Sequence, residues 1–315
     1  MKAGKWIAGA AILGAAGEYA IARYFFRRTM IRSNAKRERT QKMAGTDWDL
    51  YIPGIRAAKE WLNEQPSEEV WVTSEDGLSL YGRFFPCDGS LKTVICFHGY
   101  TSEGQNDYST LARFYLDAGY NLLIVDERAH GKSEGTFIGF GCLDRHDARI
   151  WIDYVVDRLG DDCRILLHGD SMGAATVLMT LGLELPEQVK AAVSDCAFTS
   201  AWDVFCAVLK NMYHLPAFPI MQIANQMVKK QAGYELDECN AREEVAKTEI
   251  PVLFIHGDAD TFVPCSMVHE LYEACQSEKK LVIIKGAGHV ESCYKDPEEY
   301  EEAVRSFIFP IMERK

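Results

Sequence analysis

A serine flanked by glycines follows a short apolar run of the sequence. The run Arg164 to His168 leads into Gly169-Asp170-Ser171-Met172-Gly173 and then into small helix-forming residues. This pattern predicts a strand, a sharp turn and a helix, because such a turn leaves little room for a Cβ two residues either side of the serine. Ser171 would then lie at a helix N-terminus, where backbone N–H groups stabilise a developing oxyanion. These residues indicate nucleophilic attack by Ser171, and an ordinary strand-to-helix loop is the alternative.

A serine hydroxyl is a weak nucleophile near neutral pH, so it needs a base and a carboxylate that orients the base. Among the eight histidines, His289 is the best candidate because it follows the last apolar run in the small-residue sequence 286–289. The other seven are assigned structural positions. They are His98, His130 and His256 in turns before a glycine, His146, His214 and His269 in predicted helices, and His168 at the strand end before Gly169.

The orienting carboxylate is predicted to be Asp260, in the loop of residues 256–264. The order serine, aspartate, histidine along the chain agrees with this choice. Asp258 is expected to shape the turn through its side-chain oxygen. Asp195 is a rival to Asp260, because it ends the strand that follows the one before Ser171.

Two further expectations concern the loops around these residues. The oxyanion donors are predicted to be the backbone N–H groups of Met172 and of Tyr100, in the loop after the run 93–97. Asp126 and Arg128 are expected to form a structural ion pair that holds their loop.

Strands and helices alternate along the chain from residue 70 onward. A hairpin of residues 70–73 and 78–85 opens the domain, with a turn at Asp76-Gly77. The predicted buried strands are 93–97, 122–125, 164–168, 190–195, 250–255 and 280–284, and the predicted helices are about 108–118, 143–159 and 172–183. This rhythm predicts an α/β fold with a doubly wound, mostly parallel sheet, whose ligands bind at the carboxyl ends of the strands.

Residues 198–249 interrupt this alternation and are too long for one crossover helix. We predict that they form a helical cap inserted between two strands. Aromatic and methionine side chains line apolar pockets well. The candidates for an acyl pocket are Phe198, Trp202, Phe205, Met212 and Tyr213. Packing of the cap onto the body is the alternative role for these side chains.

The first 44 residues are predicted to form a membrane-anchor helix and a basic stretch. Residues 6–26 make a 21-residue run rich in Ala, Gly and Ile, interrupted by Glu18 and Arg23, and a bilayer span needs about 20 residues. A surface-lying helix, a signal peptide cleaved after Ala20-Ile21-Ala22, and a first helix packed on the domain are alternatives. Residues 45–66 read as a helical connector, and residues 67–315 as the main domain.

Charge and cysteine content restrict the partners. Residues 1–42 hold ten basic and two acidic side chains, whereas residues 43–315 hold 24 basic and 44 acidic ones. Such an acidic body repels nucleic acid, while the basic segment suits an anionic membrane surface. Ten cysteines occur without a C-x-x-C or zinc-like spacing, which indicates neither a metal site nor a disulfide scaffold. Two Lys before the apolar run and six Lys or Arg between residues 27 and 39 predict a cytoplasmic domain.

Five segments in this order resemble the α/β-hydrolase superfamily, specifically bacterial membrane-linked hydrolases of the serine-aminopeptidase-like and Bem46-like group. They are Phe97-His98-Gly99, Asp126-Glu127-Arg128-Ala129-His130-Gly131, Gly169-Asp170-Ser171-Met172-Gly173, His256-Gly257-Asp258-Ala259-Asp260 and Gly286-Ala287-Gly288-His289. The resemblance covers about residues 70 to 312. It implies esterase, thioesterase, lipase or peptidase chemistry, and it determines the mechanism better than the substrate.

The sequence therefore predicts cleavage of an ester, thioester or amide of a small molecule through an acyl-Ser171 intermediate. No metal and no organic cofactor is implied. A serine peptidase of the aminopeptidase-like group is the runner-up. A non-catalytic binding protein on the same fold is the third reading, although such proteins usually lack one of the residues Ser171, Asp260 and His289 or the glycines of the turn.

Overall fold

The computed structural model describes residues 2–32 and 46–314, and it describes side chains only from residue 16 onward. Lys36, Arg37, Arg39 and Lys42 of the predicted basic stretch lie outside the described residues.

An eight-stranded sheet forms the centre of the molecule, with the strands in the order β1-β2-β4-β3-β5-β6-β7-β8. The strands are β1 (Glu68–Thr73), β2 (Ser79–Phe85), β3 (Lys92–Phe97), β4 (Asn121–Val125), β5 (Arg164–Asp170), β6 (Val189–Asp195), β7 (Val252–Gly257) and β8 (Lys279–Ile284). β2 pairs antiparallel with β1 and with β4, and all other pairs are parallel. The predicted fold class is confirmed.

Helices cover both faces of this sheet. In chain order they are α1 (Lys2–Thr29), α2 (Ile52–Glu64), α3 (Gly104–Asp117), α4 (Asp144–Leu159), α5 (Met172–Thr180), α6 (Ala201–Tyr213), α7 (Ile220–Ala232), α8 (Ala241–Val245), α9 (Ser266–Ala274), α10 (Ser292–Lys295) and α11 (Pro297–Met312). Alternate residues of β5 face opposite cores, with Ile165 and Leu167 on one side and Leu166 on the other. The central strands must therefore be apolar along their whole length, because both faces of the sheet are buried.

The cap of residues 198–249 contains α6, α7 and α8, between β6 and β7. The helix α1 packs against α7. Ala22 and Phe26 of α1 and Met30 just after it are buried, and they repeat every four residues on one side. After α1, Ile31 forms an isolated antiparallel bridge with Phe137. The carboxyl half of α1 thus belongs to the packed body of the protein.

Among the described residues, no helix combines the length and the apolar character that crossing a membrane requires. The transmembrane helix predicted for residues 6–26 is not supported by this finding.

Two local predictions were wrong. Arg128 pairs with Asp147 and Asp76, not with Asp126. Asp126 instead accepts hydrogen bonds from the backbone N–H groups of Gly104 and Lys132, at 3.0 and 2.9 Å. His214 lies just after α6 in a left-handed conformation, with φ of 53°, rather than inside a helix.

Candidate active site

The turn from β5 to α5 holds Ser171 in a strained backbone conformation. Its φ is +52° and its ψ is −109°, a region that residues with a side chain rarely adopt. A Cβ on Gly173 would lie 2.0 Å from the carbonyl oxygen of Phe97, and one on Gly169 would lie 2.2 Å from that of Gly173. Both glycines are needed sterically, since backbone atoms cannot move away cheaply. The backbone N–H of Ser171 donates to Asp195 O at 2.8 Å, which ties the turn to β6.

Ser171, His289 and Asp260 lie together in a hydrogen-bonded chain. The Oγ of Ser171 is 2.8 Å from Nε2 of His289, and Nδ1 of His289 is 2.7 Å from Oδ2 of Asp260. The three side chains follow β5, β8 and β7, at the carboxyl edge of the sheet. All three residues are buried. The sequence-predicted trio therefore has the distances that proton transfer from serine to histidine requires.

Asp260 is fixed by its own loop. Its Oδ1 accepts hydrogen bonds from the backbone N–H groups of Phe262 and Val263, at 2.8 and 2.9 Å. Burial raises the pKa of a carboxyl, but His289 and His256 outweigh this effect and hold the pKa of Asp260 well below its usual range. The carboxylate consequently stays charged at neutral pH and can orient the His289 ring.

The two rival aspartates have other partners. Asp195 accepts a hydrogen bond from the hydroxyl of Ser292 at 3.1 Å, and burial raises its pKa to about 6. Asp258 accepts from the backbone N–H of Gly286 at 2.6 Å and joins the β7 and β8 loops. Among the three aspartates, Asp260 is the one hydrogen-bonded to His289.

Several other histidines make structural hydrogen bonds near the site. His98 accepts from the backbone N–H of Glu127 at 3.0 Å, and His130 accepts from that of Thr101 at 3.2 Å. Burial and the neighbouring His98 lower the pKa of His130 to about 3. His168 lies between the hydroxyls of Tyr115 and Tyr300, each 2.9 Å from a ring nitrogen. These rings position loops and strands, as the sequence predicted for them.

The predicted oxyanion donors lie on the two loops beside Ser171. Met172 is the first residue of α5, so its N–H belongs to the turn whose donors have no partner within the helix. Tyr100 is the third residue after β3, in the sequence 98–101. The hydroxyl of Tyr100 donates to the carbonyl oxygen of Arg28 at 3.2 Å and so links this loop to α1.

The predicted pocket residues fall into two groups. Phe198 is buried, and Trp202 and Phe205 are partly buried against the same core. Met212 and Tyr213 are 47% and 42% exposed, and Tyr213 packs edge-on against Phe25 of α1. The last two therefore lie at the outer end of α6.

Two aromatic residues near the site were not among the site residues predicted from the sequence. The ring of Phe140 lies 5.2 Å from that of Tyr100 and 4.8 Å from that of Phe205. The ring of Phe262 lies 4.9 Å from that of His289. The only sequence signal for Phe140 was an apolar cluster, 137–140, inside a polar loop.

A cleft of about 420 Å³ adjoins α6 and the loop that carries Asp260. Its lining consists of Cys206, Ala207, Lys210, Asn211, Leu215, Pro216, Ala217 and Pro264. None of these described lining residues is among the five residues predicted to form the acyl pocket.

A model of the serine aminopeptidase S33 family matches residues 89–233. The uncharacterized protein YqkD of Bacillus subtilis is 30% identical over 237 residues, which cover 75% of this chain and 77% of YqkD. The chain belongs to the α/β-hydrolase superfamily, in its Bem46-like group. Protein bem46 of Schizosaccharomyces pombe is 23% identical to this α/β-hydrolase over 222 residues, which cover 70% of the chain and 68% of bem46.

Among solved structures, esterase Pf2001 of Pyrococcus furiosus resembles this α/β-hydrolase with a TM-score of 0.64 and 27% identity. The match covers 79% of the chain and 93% of the esterase. Family and neighbours together support a serine hydrolase of the α/β fold.

Proposed function

We propose that this protein hydrolyses an ester, thioester or amide bond of a small substrate through an acyl-Ser171 intermediate. The observation that carries the proposal is the chain from Ser171 Oγ through His289 to Asp260, with distances of 2.8 and 2.7 Å. A serine next to a histidine that is itself held by a carboxylate is the arrangement that activates a hydroxyl.

In the first half of the reaction, Ser171 Oγ attacks the carbonyl carbon of the substrate while Nε2 of His289 takes the hydroxyl proton. Asp260 stabilises the imidazolium that forms. The backbone N–H groups of Met172 and Tyr100 would stabilise the oxyanion of the tetrahedral intermediate. Return of the proton from His289 to the leaving group then releases the alcohol, thiol or amine and leaves an acyl-enzyme.

In the second half, a water molecule replaces the leaving group. His289 takes a proton from this water, whose oxygen attacks the acyl carbon, and then returns the proton to Ser171 Oγ. The reaction needs no redox partner, because its net change is the addition of water across one bond.

The preferred reading within this chemistry is a carboxylesterase-like enzyme with an apolar acyl or alcohol group as substrate. The cleft beside α6 adjoins the Asp260 loop at Pro264, and its lining is apolar at 215–217 and polar at Lys210 and Asn211. The packed rings of Tyr100, Phe140 and Phe205 offer a second apolar surface. The similarity to a solved esterase points the same way.

A serine peptidase acting on small peptides is the second candidate. The match of residues 89–233 to the serine aminopeptidase family model favours it. A panel of short-chain aryl esters and aminoacyl anilides separates the two, since the preferred reading requires a higher kcat/KM for the esters.

The proposal is tested with purified wild-type protein and Ser171→Ala. Loss of the nucleophile should lower kcat for an aryl ester by about 10⁴-fold or more. A fluorophosphonate probe should label the wild type and not the variant. Equal turnover by both proteins would sink the assignment, and a folded wild type that resists the probe would favour a non-catalytic binding protein.

We also propose that the protein works at the cytoplasmic face of a membrane. The side chains of Arg23, Arg27 and Arg28 are exposed on α1, on a face that also carries exposed Tyr24. Arginine and tyrosine suit the interface of an anionic bilayer. All ten cysteines are free thiols, which agrees with a reducing compartment.

A further inference from the structure

Cys196 lies next to the proposed catalytic residues without taking part in their hydrogen bonds. It follows β6 directly, is fully buried, and has a φ of +49°. Its backbone N–H donates to Ile255 O of β7 at 2.9 Å. A non-glycine residue is held in this strained conformation only by its surroundings, so the backbone at Cys196 has a fixed position.

Three different metal-binding donors meet at this point. A sulfur of Cys196, a carboxylate oxygen of Asp260 and a ring nitrogen of His289 all lie within 4.8 Å of one another, and all three residues are buried. A zinc ion bound to these donor types has bond lengths of about 2.3 Å to sulfur and about 2.0–2.2 Å to nitrogen and oxygen. Donor atoms bound to one such ion lie closer together than 4.8 Å, so the side chains must move inward for all three to bind it, and water would fill the fourth position.

We propose that Cys196, Asp260 and His289 form an inhibitory site for a thiophilic divalent cation such as Zn²⁺. Binding releases the proton of the Cys196 thiol to solvent, because the thiolate is the ligand. Sulfur selects this class of cation over Mg²⁺ and Ca²⁺, which take oxygen ligands.

A bound cation would inhibit hydrolysis because it binds the His289 imidazole, which is the catalytic base. If the cation binds Nε2 of His289, that nitrogen has no lone pair left for the Ser171 proton. If it binds Nδ1, the ring proton moves to Nε2, which then donates instead of accepting. The inhibitory effect, unlike the binding itself, rests on the proposed hydrolase function.

The cation would enter past His289. The side chain of His289 is 8% exposed, whereas those of Cys196 and Asp260 lie beneath it. A substrate that covers His289 would hinder entry, so inhibition should weaken as the ester concentration rises.

Binding is measured first, on Ser171→Ala, by equilibrium dialysis against ZnCl₂. We expect one tightly bound zinc per chain. Adding Cys196→Ser should raise the dissociation constant by at least the roughly 10- to 100-fold that loss of an outer-shell partner costs. Cys206→Ser is the matched control, because Cys206 is a free, half-buried thiol on α6. No tight binding, or equal loss in both cysteine variants, would overturn the site.

Inhibition is measured next, with wild type, Cys196→Ser and Cys196→Ala, on an aryl ester. The wild type should be inhibited by ZnCl₂ and recover fully with EDTA, while both variants should turn over ester and need a higher zinc concentration for inhibition. Zinc binding without any effect on turnover would overturn the inhibitory role. A wild type that lacks ester turnover would refute the proposed function instead, and the dialysis result would still stand.

Should neither Cys196 variant fold, the wild type provides its own readout. Co²⁺ in place of Zn²⁺ gives a sulfur-to-metal charge-transfer band only if a thiolate is a ligand. The band should appear at one equivalent of Co²⁺ and disappear when fluorophosphonate fills the space beside His289. An ultraviolet spectrum without that band contradicts the proposal.

Discussion

The two ring nitrogens of His289 have different tasks, and the two contacts assign them. Nδ1 faces a carboxylate at 2.7 Å and must carry the proton, since Asp260 is charged and can only accept. Nε2 is then the nitrogen with a free lone pair, and it faces Ser171 Oγ at 2.8 Å. The low pKa of Asp260 therefore determines which nitrogen acts as the base.

At the residue scale, replacing Asp260 should abolish this choice of tautomer. In Asp260→Asn the amide can donate to Nδ1, which leaves the proton on Nε2 and lowers kcat by about 10⁴-fold. Asp195→Asn is the matched control, because Asp195 is also buried at a strand end but hydrogen-bonds to Ser292. Steady-state kinetics on an aryl ester check both variants, and a greater loss in Asp195→Asn would transfer the role to Asp195.

A second residue-scale prediction concerns stability against pH. Burial lowers the pKa of His168 to about 3 in the folded protein, whereas an unfolded histidine titrates near pH 6.5. Between these values the unfolded chain binds one proton more, so the free energy of unfolding falls as the pH falls from about 6.5 to 3, by up to about 1.4 kcal/mol per pH unit.

Urea denaturation of wild type and His168→Gln at several pH values measures this contribution. Glutamine can both donate and accept between Tyr115 and Tyr300 but takes up no proton, so the variant should show a shallower slope below pH 6.5. His269→Gln, at an exposed position on α9, should keep the wild-type slope. Identical slopes for wild type and His168→Gln would show that His168 does not cause the effect.

At the element scale, the strands were predictable because each one is a local apolar run bounded by polar turns. The sharp turn at Ser171 was predictable for the same reason, since its glycines lie within four residues of each other in the chain. The partners of Arg128 were not, because Asp76 and Asp147 come from the β1–β2 turn and from α4, and no local pattern connects them. The position of Phe140 was not predictable either, because its neighbours Tyr100 and Phe205 are far away in sequence.

The turn also yields an element-scale prediction. Gly173→Ala would place a methyl group 2.0 Å from the carbonyl oxygen of Phe97, so β3 and α5 must separate. The expected loss is about 1–3 kcal/mol or more of unfolding free energy, together with a lower kcat.

Gly54→Ala on α2 is the control for that variant, because no described atom beyond its chain neighbours and its own helix backbone lies within 4 Å of its added Cβ. Its unfolding free energy should stay the same or rise by up to about 1 kcal/mol. Thermal and urea unfolding compare the two. A Gly173→Ala protein as stable and as active as wild type would disprove the steric account of the turn.

At the scale of the whole molecule, α1 shows why the sequence alone could not distinguish a membrane helix from a helix packed on the domain. A helix rich in alanine and glycine has a similar composition whether it faces lipid or another helix, and the sequence names no partner. The partner is α7 of the cap, which lies some 200 residues further along the chain. Because Tyr100 also touches α1, the helix connects the cap with a loop of the candidate site.

The last prediction concerns the placement of the whole protein at the cytoplasmic side of a membrane. Cys87, Cys206 and Cys265 are half-buried free thiols and serve as natural labels. An impermeant thiol reagent should fail to label them in intact cells and should label them once the cells are permeabilised. Attachment through the exposed arginines of α1 is electrostatic, so high salt should release the protein from membranes.

Replacing Arg23, Arg27 and Arg28 together by glutamine should shift the protein from the membrane fraction to the soluble fraction while leaving ester turnover intact, because all three side chains are exposed. Glutamine at the exposed Lys229 and Lys230, also near the end of a helix, is the matched control. Labelling of the thiols from outside would overturn the cytoplasmic placement. The triple variant lacks the three arginine charges, and high salt screens the charges that remain. If this variant still stayed on salt-washed membranes, another part of the chain would hold the protein there.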